Sequence, residues 1–178
     1  MPFEINLQSP SDIENITSLV AGAFGPDRSK RTVYQFRDGV RQMDKLCFVA
    51  YSKDQLVGSI QFWPAVLPNG LIVPLLGPLA VKPELRGKGV GRALITTGLN
   101  SAKKSDFPAV LIVGDPGYYA PFGFNVDVIN QLNLPGSVAP LIFMGVEFES
   151  HSLSGLSGDI SPQRFVSKNK RREKNGFV

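Results

Sequence analysis

The chain has 178 residues, 43% hydrophobic and 19% charged, the balance of one soluble globular domain able to bury a full core. One cysteine and one histidine exclude a disulfide framework, a zinc or iron–sulfur centre and a histidine-based metal site, and leave little room for a Ser-His-Asp triad. The net charge of +4 is mildly basic, with much of the excess in the last eleven residues. No run approaches 18 apolar residues, so no membrane span is expected, and residues 1–6 lack the basic and apolar regions of a signal peptide. A cytoplasmic protein with a reduced thiol is the expectation. Cys47 lies in an apolar run with no cation or histidine beside it in sequence, and reads as an inert core residue.

Phe3, Ile5 and Leu7 alternate with polar residues, the pattern of a short strand. Ser11 and Glu14 have capping-box spacing, and Ile13, Ile16, Val20 and Phe24 recur at helical intervals, predicting a helix over 12–24 that stops near Gly25-Pro26. A weaker helical pattern covers 30–43, with Val33, Phe36, Val40 and Met43 on one side and Arg31, Arg37 and Arg41 on the other. Three strands follow, over 46–52, 56–67 and 71–81. Pro68-Asn69-Gly70 supplies a tight hairpin turn between the last two. Gly77-Pro78 interrupts the third strand, and proline cannot donate to a ladder, so a bulge or a local loss of pairing is expected there.

Residues 83–91 form a glycine-rich turn, 92–104 a helix, and 109–113 a continuous apolar strand of the kind covered on both faces. Strand, helix and strand over 71–114 make a βαβ unit and hence a parallel pair, within a sheet that otherwise reads as antiparallel. Residues 115–123 hold turn residues and one short helical turn. Strands are expected at 124–128 and 141–148, joined by a loop containing Leu134-Pro135-Gly136. Residues 150–160 are rich in Ser and Gly. The domain is expected to span 1–166. The basic stretch 167–178 reads as a solvated, disordered tail rather than a nucleic-acid contact, because short charge runs usually stay hydrated.

The stretch most informative about chemistry is Leu79-Ala80-Val81-Lys82-Pro83-Glu84-Leu85-Arg86-Gly87-Lys88-Gly89-Val90-Gly91-Arg92. A strand runs into glycines and the glycines open a helix. Such a junction presents backbone N–H groups and a positive dipole end to an anion, and Arg86, Lys88 and Arg92 add charge. A Walker A loop needs Ser or Thr after Gly-Lys, and Gly89 stands there instead. A dinucleotide fingerprint would need a third glycine where Leu94 stands. A tight β–α turn without a ligand is the plain alternative, and Tyr118 and Tyr119 read equally as packing aromatics. Trp63, Phe62 and Phe48 read as core, and Asp115 as a helix cap.

Arg86-x-x-Gly89-x-Gly91 resembles the Arg/Gln-x-x-Gly-x-Gly/Ala signature of the GNAT superfamily of acetyl-CoA-dependent N-acyltransferases. Tyr119, four residues before Gly123-Phe124, is similar to that family's Tyr-x-x-x-Gly-Phe element, and Gly-Asp-Pro-x-Tyr-Tyr resembles a bacterial branch of predicted N-acetyltransferases. The order of elements over residues 3–148 resembles the family as well. The resemblance implies an α/β fold with a mixed sheet, in which an antiparallel meander followed by a βαβ unit opens an acyl-CoA cleft. It implies acetyl-CoA as co-substrate, no metal, and a small amine or peptide as acceptor. Leu79, Ala80 and Val81 would line the pantetheine arm, with the amides of Leu79 and Val81 holding it. Arg86, Gly87, Lys88, Gly89, Val90, Gly91 and Arg92 would bind the pyrophosphate. Tyr119 would protonate the departing thiolate, and backbone N–H groups would stabilise the oxyanion. No acidic residue lies in 73–81, so the base that takes the amine proton is expected to act through water. A homodimer is compatible with the resemblance, and the alternative is a non-catalytic acyl-CoA-binding sensor or scaffold. No motif points to the acceptor's identity.

Overall fold

The computed structural model describes residues 2–27, 32–136 and 142–164. Its main sheet has the strand order β1-β2-β3-β4-β5-β7, from β1 (Glu4–Leu7), β2 (Phe48–Ser52), β3 (Gln55–Val66), β4 (Ile72–Val81), β5 (Ala109–Val113) and β7 (Phe143–Glu147). All neighbours are antiparallel except β4 and β5, which are joined through α2 (Val90–Lys104). The expected meander and βαβ unit are therefore both present. Between β5 and β7 come a short α3 (Pro116–Tyr119) and β6 (Leu132–Asn133).

The two faces of the sheet are covered by different helices. α1 (Ile13–Phe24) buries Ile16 and Val20 against Val49, Leu56 and Ala80. α2 buries Leu94, Ile95, Leu99 and Ala102 against Val57, Ile60, Phe62 and Ile112 on the opposite face. Cys47 is fully buried, as expected. Burial pushes its thiol pKa up to about 12, which leaves it inert at neutral pH.

The interruption of β4 is a bulge. Ile60 faces Leu79 and Phe62 faces Leu76, so Gly77 and Pro78 together oppose the single residue Gln61.

Other expectations are corrected. The described part of the predicted 30–43 helix is a 3-10 turn, Thr32–Phe36, followed by an irregular turn through Gly39 at φ 67°. Fully buried Phe36 pulls this stretch into the core, and Gly39 in left-handed geometry ends the helical path. The predicted strand at 124–128 reduces to one bridge, Asn125 to Gly145. Asn125 Oδ1 then accepts from Asp127 N at 2.7 Å, and that local turn competes with the ladder. α2 begins at Val90 rather than Arg92.

The Ser- and Gly-rich stretch 150–160 contributes buried Leu153 and Ile160 to the core. It forms β8 (Gly158–Asp159), parallel to β6, and β9 (Ser161–Pro162), which extends the sheet at β3. Residue 141 and the boundary expected between body and basic tail lie outside the described residues.

Candidate active site

Parallel pairing of β4 and β5 holds only at Leu75 with Leu111 and Leu76 with Ile112. Beyond Leu76 the two strands part, and a cavity of about 510 Å³ opens between them, a size typical of ligand pockets. Its walls include Leu76 to Val81 on β4, Ile112 to Asp115 after β5, and Tyr118 and Tyr119 from α3. The main chain of β4 supplies donors to it. Lys82 N donates to Val57 O at 2.9 Å, so strand alternation turns the amide of Ala80 towards β3 and those of Leu79 and Val81 towards the opening.

One end of the cavity is the glycine loop. Arg86, Gly87 and Gly91 line it. Gly89 caps α2 at φ 88°, a left-handed geometry that a side chain would strain. The first helical hydrogen bond runs from Ala93 N to Gly89 O, so the amides of Val90, Gly91 and Arg92 have no intrahelical acceptor. The side chain of Val90 is buried beneath them, against the position of Gly58, and only its main chain is available to a ligand. Lys88, Gly89 and Arg92 are exposed around the loop, outside the cavity lining. Arg92 stands 5.8 Å from the Phe122 ring centroid and so spans α2 and the segment after α3.

The two tyrosines differ sharply. Tyr119 is half-buried, edge-on to Phe124, and its ring fills the space over Gly114, where a Cβ would stand 2.5 Å from it. Burial pushes its pKa well above the ordinary phenol value, with Tyr118 and Asp115 adding to the shift, so the hydroxyl keeps its proton at neutral pH. Tyr118 is 44% exposed, and its hydroxyl reaches Gly91, where a Cβ would meet it at 2.6 Å. Burial raises its pKa, with Arg92 opposing. Asp115 accepts from Gly117 N at 3.0 Å, the capping role read from the sequence.

The far end of the cavity is built by Ala23, Phe24, Val33, Tyr34 and Arg37, facing Gly77 and Pro78 of the bulge. Arg37 lies 4.4 Å from the Tyr34 ring centroid and 5.9 Å from that of Trp63, and its Nη2 comes 3.6 Å from where a Gly77 Cβ would stand. Trp63 is half-buried, and its buried indole N–H has no acceptor among the described residues.

The fold thus brings Leu79, Ala80, Val81, Arg86, Gly87, Gly91 and Tyr119 to one cavity and leaves Lys88, Gly89, Val90 and Arg92 at its rim or beneath it. The Arg37 wall was not foreseen. The sequence offered two partial signals, an arginine face on a weak helix and a proline break in a strand, and nothing joined them.

The sequence matches the Acetyltransferase (GNAT) family over residues 13–124. It is 28% identical over 156 residues to the uncharacterized N-acetyltransferase YhbS of Escherichia coli K12, covering 86% of this chain and 92% of YhbS. It is 30% identical over 125 residues to the uncharacterized N-acetyltransferase YjhQ of the same strain, covering 68% of this chain and 69% of YjhQ. The crystal structure of Escherichia coli YhbS in complex with CoA is similar with a TM-score of 0.74 and 28% identity, over 90% of this chain and 89% of that one. A Brucella melitensis GNAT acetyltransferase in complex with acetyl-CoA shares the fold at a TM-score of 0.67 and 24% identity, over 91% and 96% of the two chains.

Proposed function

Because this chain belongs to the GNAT acetyltransferase family, we propose that it is an acyltransferase that moves the acetyl group of acetyl-CoA to an amine by direct attack within a ternary complex. The observation that carries this reading is the splay of β4 from β5. It puts the outward amides of Leu79 and Val81, the N-terminal turn of α2 and Tyr119 around one cavity. The residues present fit the co-substrate: a thioester with a long polar arm and a pyrophosphate needs N–H donors in a row and an anion site at one end.

In this reading the amides of residues 90–92 and the Arg86 guanidinium hold the pyrophosphate, with Lys88 and Arg92 adding positive charge at the rim. The Leu79 and Val81 amides orient the arm, and one of them polarises the acetyl carbonyl. The co-substrate supplies an activated acyl group on a thiol leaving group. Tyr119 delivers a proton to the sulfur. Its raised pKa secures that proton at neutral pH and also makes it a poorer acid, so its contribution is a hydrogen bond that strengthens as negative charge develops on sulfur.

Among the described lining residues, Asp115 is the one carboxylate, and it is engaged as a cap, so water is the relay for the amine proton. A cytoplasmic setting suits a chain with one unpaired cysteine. The test is release of free thiol from acetyl-CoA across a panel of amines, beside calorimetry with CoA. CoA binding without turnover on any amine would favour the sensor reading instead.

A further inference from the structure

The acetyl-transfer reading gives Tyr118 no role, although Tyr118 lines the cavity beside Tyr119. Its ring is edge-on to Tyr119, with 4.9 Å between centroids, and tilted against Phe122 at 6.2 Å. From that seat on α3 the side chain reaches the first turn of α2. A Cβ built on Gly91 would stand 2.6 Å from the Tyr118 hydroxyl, 3.7 Å from Val81 and 3.8 Å from Leu79. One phenol therefore bridges α3 and α2 where the glycine loop meets β4.

That contact gives a reason for glycine at position 91. Gly87 and Gly89 have φ of 74° and 88°, whereas Gly91 is ordinary right-handed helix, so no torsion requires glycine there. Alanine would favour the helix, and among the described atoms the Tyr118 hydroxyl is the one its methyl group would strike. The hydroxyl makes no hydrogen bond to a described residue. Beside it the amides of Val90, Gly91 and Arg92 have no intrahelical acceptor. A phenol O–H and three amides converge, and such a set of donors is completed by an anion. Burial raises the phenol pKa against the opposing charge of Arg92, so at neutral pH the oxygen keeps the proton it would donate.

We propose that Tyr118 is a binding residue for the co-substrate: its hydroxyl donates a hydrogen bond to a pyrophosphate oxygen held at the first turn of α2. This rests on the acetyl-transfer reading and adds to it a side-chain donor that comes from α3 rather than from the glycine loop. Adjacent tyrosines then serve opposite ends of one molecule. Tyr119, packed over Gly114, faces the thioester, and Tyr118, reaching Gly91, faces the phosphates.

Calorimetry with CoA tests the contact. Tyr118→Phe keeps the ring contacts with Tyr119 and Phe122 and removes the donor, so Kd should rise by about tenfold or more, the size of a charge-assisted hydrogen bond. Gly91→Ala pushes the hydroxyl aside and should weaken binding to a similar degree. In the Tyr118→Phe background, where the oxygen is gone, the same methyl group should cost little. Phosphorus NMR of the CoA complex should show the two pyrophosphate resonances displaced by Tyr118→Phe and the 3′-phosphate resonance in place. Thermal melts close to that of the parent certify the fold of each variant. An unchanged Kd in Tyr118→Phe would overturn the assignment, and so would an equal cost of Gly91→Ala in both backgrounds. Displacement of the 3′-phosphate resonance alone would overturn it in favour of that phosphate, and weakened binding with no phosphorus resonance moved would overturn it in favour of the pantetheine arm. Failure of the unaltered protein to bind CoA at all would overturn the acetyl-transfer reading itself.

Discussion

At the loop end of the cavity the chemistry is main-chain: amides of residues 90–92 released by a glycine cap, with the side chain of Val90 turned into the core. At the Arg37 end it is side-chain: a guanidinium set by two aromatic rings, a bulge and one buried phenylalanine. The first kind of site depends on backbone torsions that a few glycines announce. The second depends on packing between segments distant in sequence. The two ends should therefore fail differently. Damage at the loop should cost co-substrate affinity, and damage at the far end should leave that affinity largely intact.

Gly89→Glu should give the largest effect. No described residue comes within 4 Å of a Cβ built there, so in the proposed reading a carboxylate at this position meets the pyrophosphate rather than the core. Like charge in contact costs several kcal/mol, and acetyl-CoA affinity should fall by about 10³-fold or more in calorimetry. Gly70→Glu is the control for backbone strain, since Gly70 has a similar φ of 86° in an open hairpin turn. Equal CoA affinity in the two variants would remove the loop from the binding site.

Tyr119→Phe separates chemistry from binding. General acids typically contribute about 10²–10⁴-fold, and the raised pKa places this one at the lower end, so kcat should fall by about 10²-fold. CoA affinity should hardly change, because the ring still fills the space over Gly114. Tyr118→Phe should be mild. Stopped-flow or steady-state thiol release on both variants decides it, and a reversal between them would make Tyr118, whose hydroxyl reaches Gly91, the proton donor.

Phe36→Ala tests whether the far end of the cavity is set by packing at a distance. Loss of a fully buried phenylalanine costs about 3–5 kcal/mol, measurable by denaturant titration. Among molecules still folded, the KM for acceptor should rise more than the Kd for acetyl-CoA. A change confined to the Kd would show that Phe36 supports the wrong end.

The smallest effect concerns Cys47. Its thiol titrates near 12 in the folded chain against 9.0 in an unperturbed one. Between those values the native state holds a proton that the unfolded state has lost. Stability from this group is therefore intact below pH 9 and declines as pH rises towards 12. Iodoacetamide at pH 8 should label Cys47 in denaturant and leave the native protein unlabelled over the same time.

The loop and the Tyr-x-x-x-Gly-Phe element were legible because each is local. Gly89 and Gly91 sit where the chain must turn from strand to helix, and Tyr119 lies within a few residues of its own packing partners Gly114 and Phe124. The bulge at Gly77-Pro78 was legible for the same reason, since a proline removes its own ladder hydrogen bond. The 3-10 turn at Thr32–Phe36 was not, because the 3.6-residue pattern there is weak and burial of Phe36 overrides it.

By itself the sequence determined the order of the strands from β1 to β5 with α1 and α2, the glycine-capped junction at the start of α2 and the placement of Tyr119 near it. Those follow from backbone torsion and hydrophobic period, which act over a few residues. Tertiary structure alone decided that β4 and β5 part after Leu76, that Leu153 and Ile160 close the core, and that Arg37 meets Gly77 across the cavity. These depend on which distant surfaces exclude water together, and no local pattern encodes that choice.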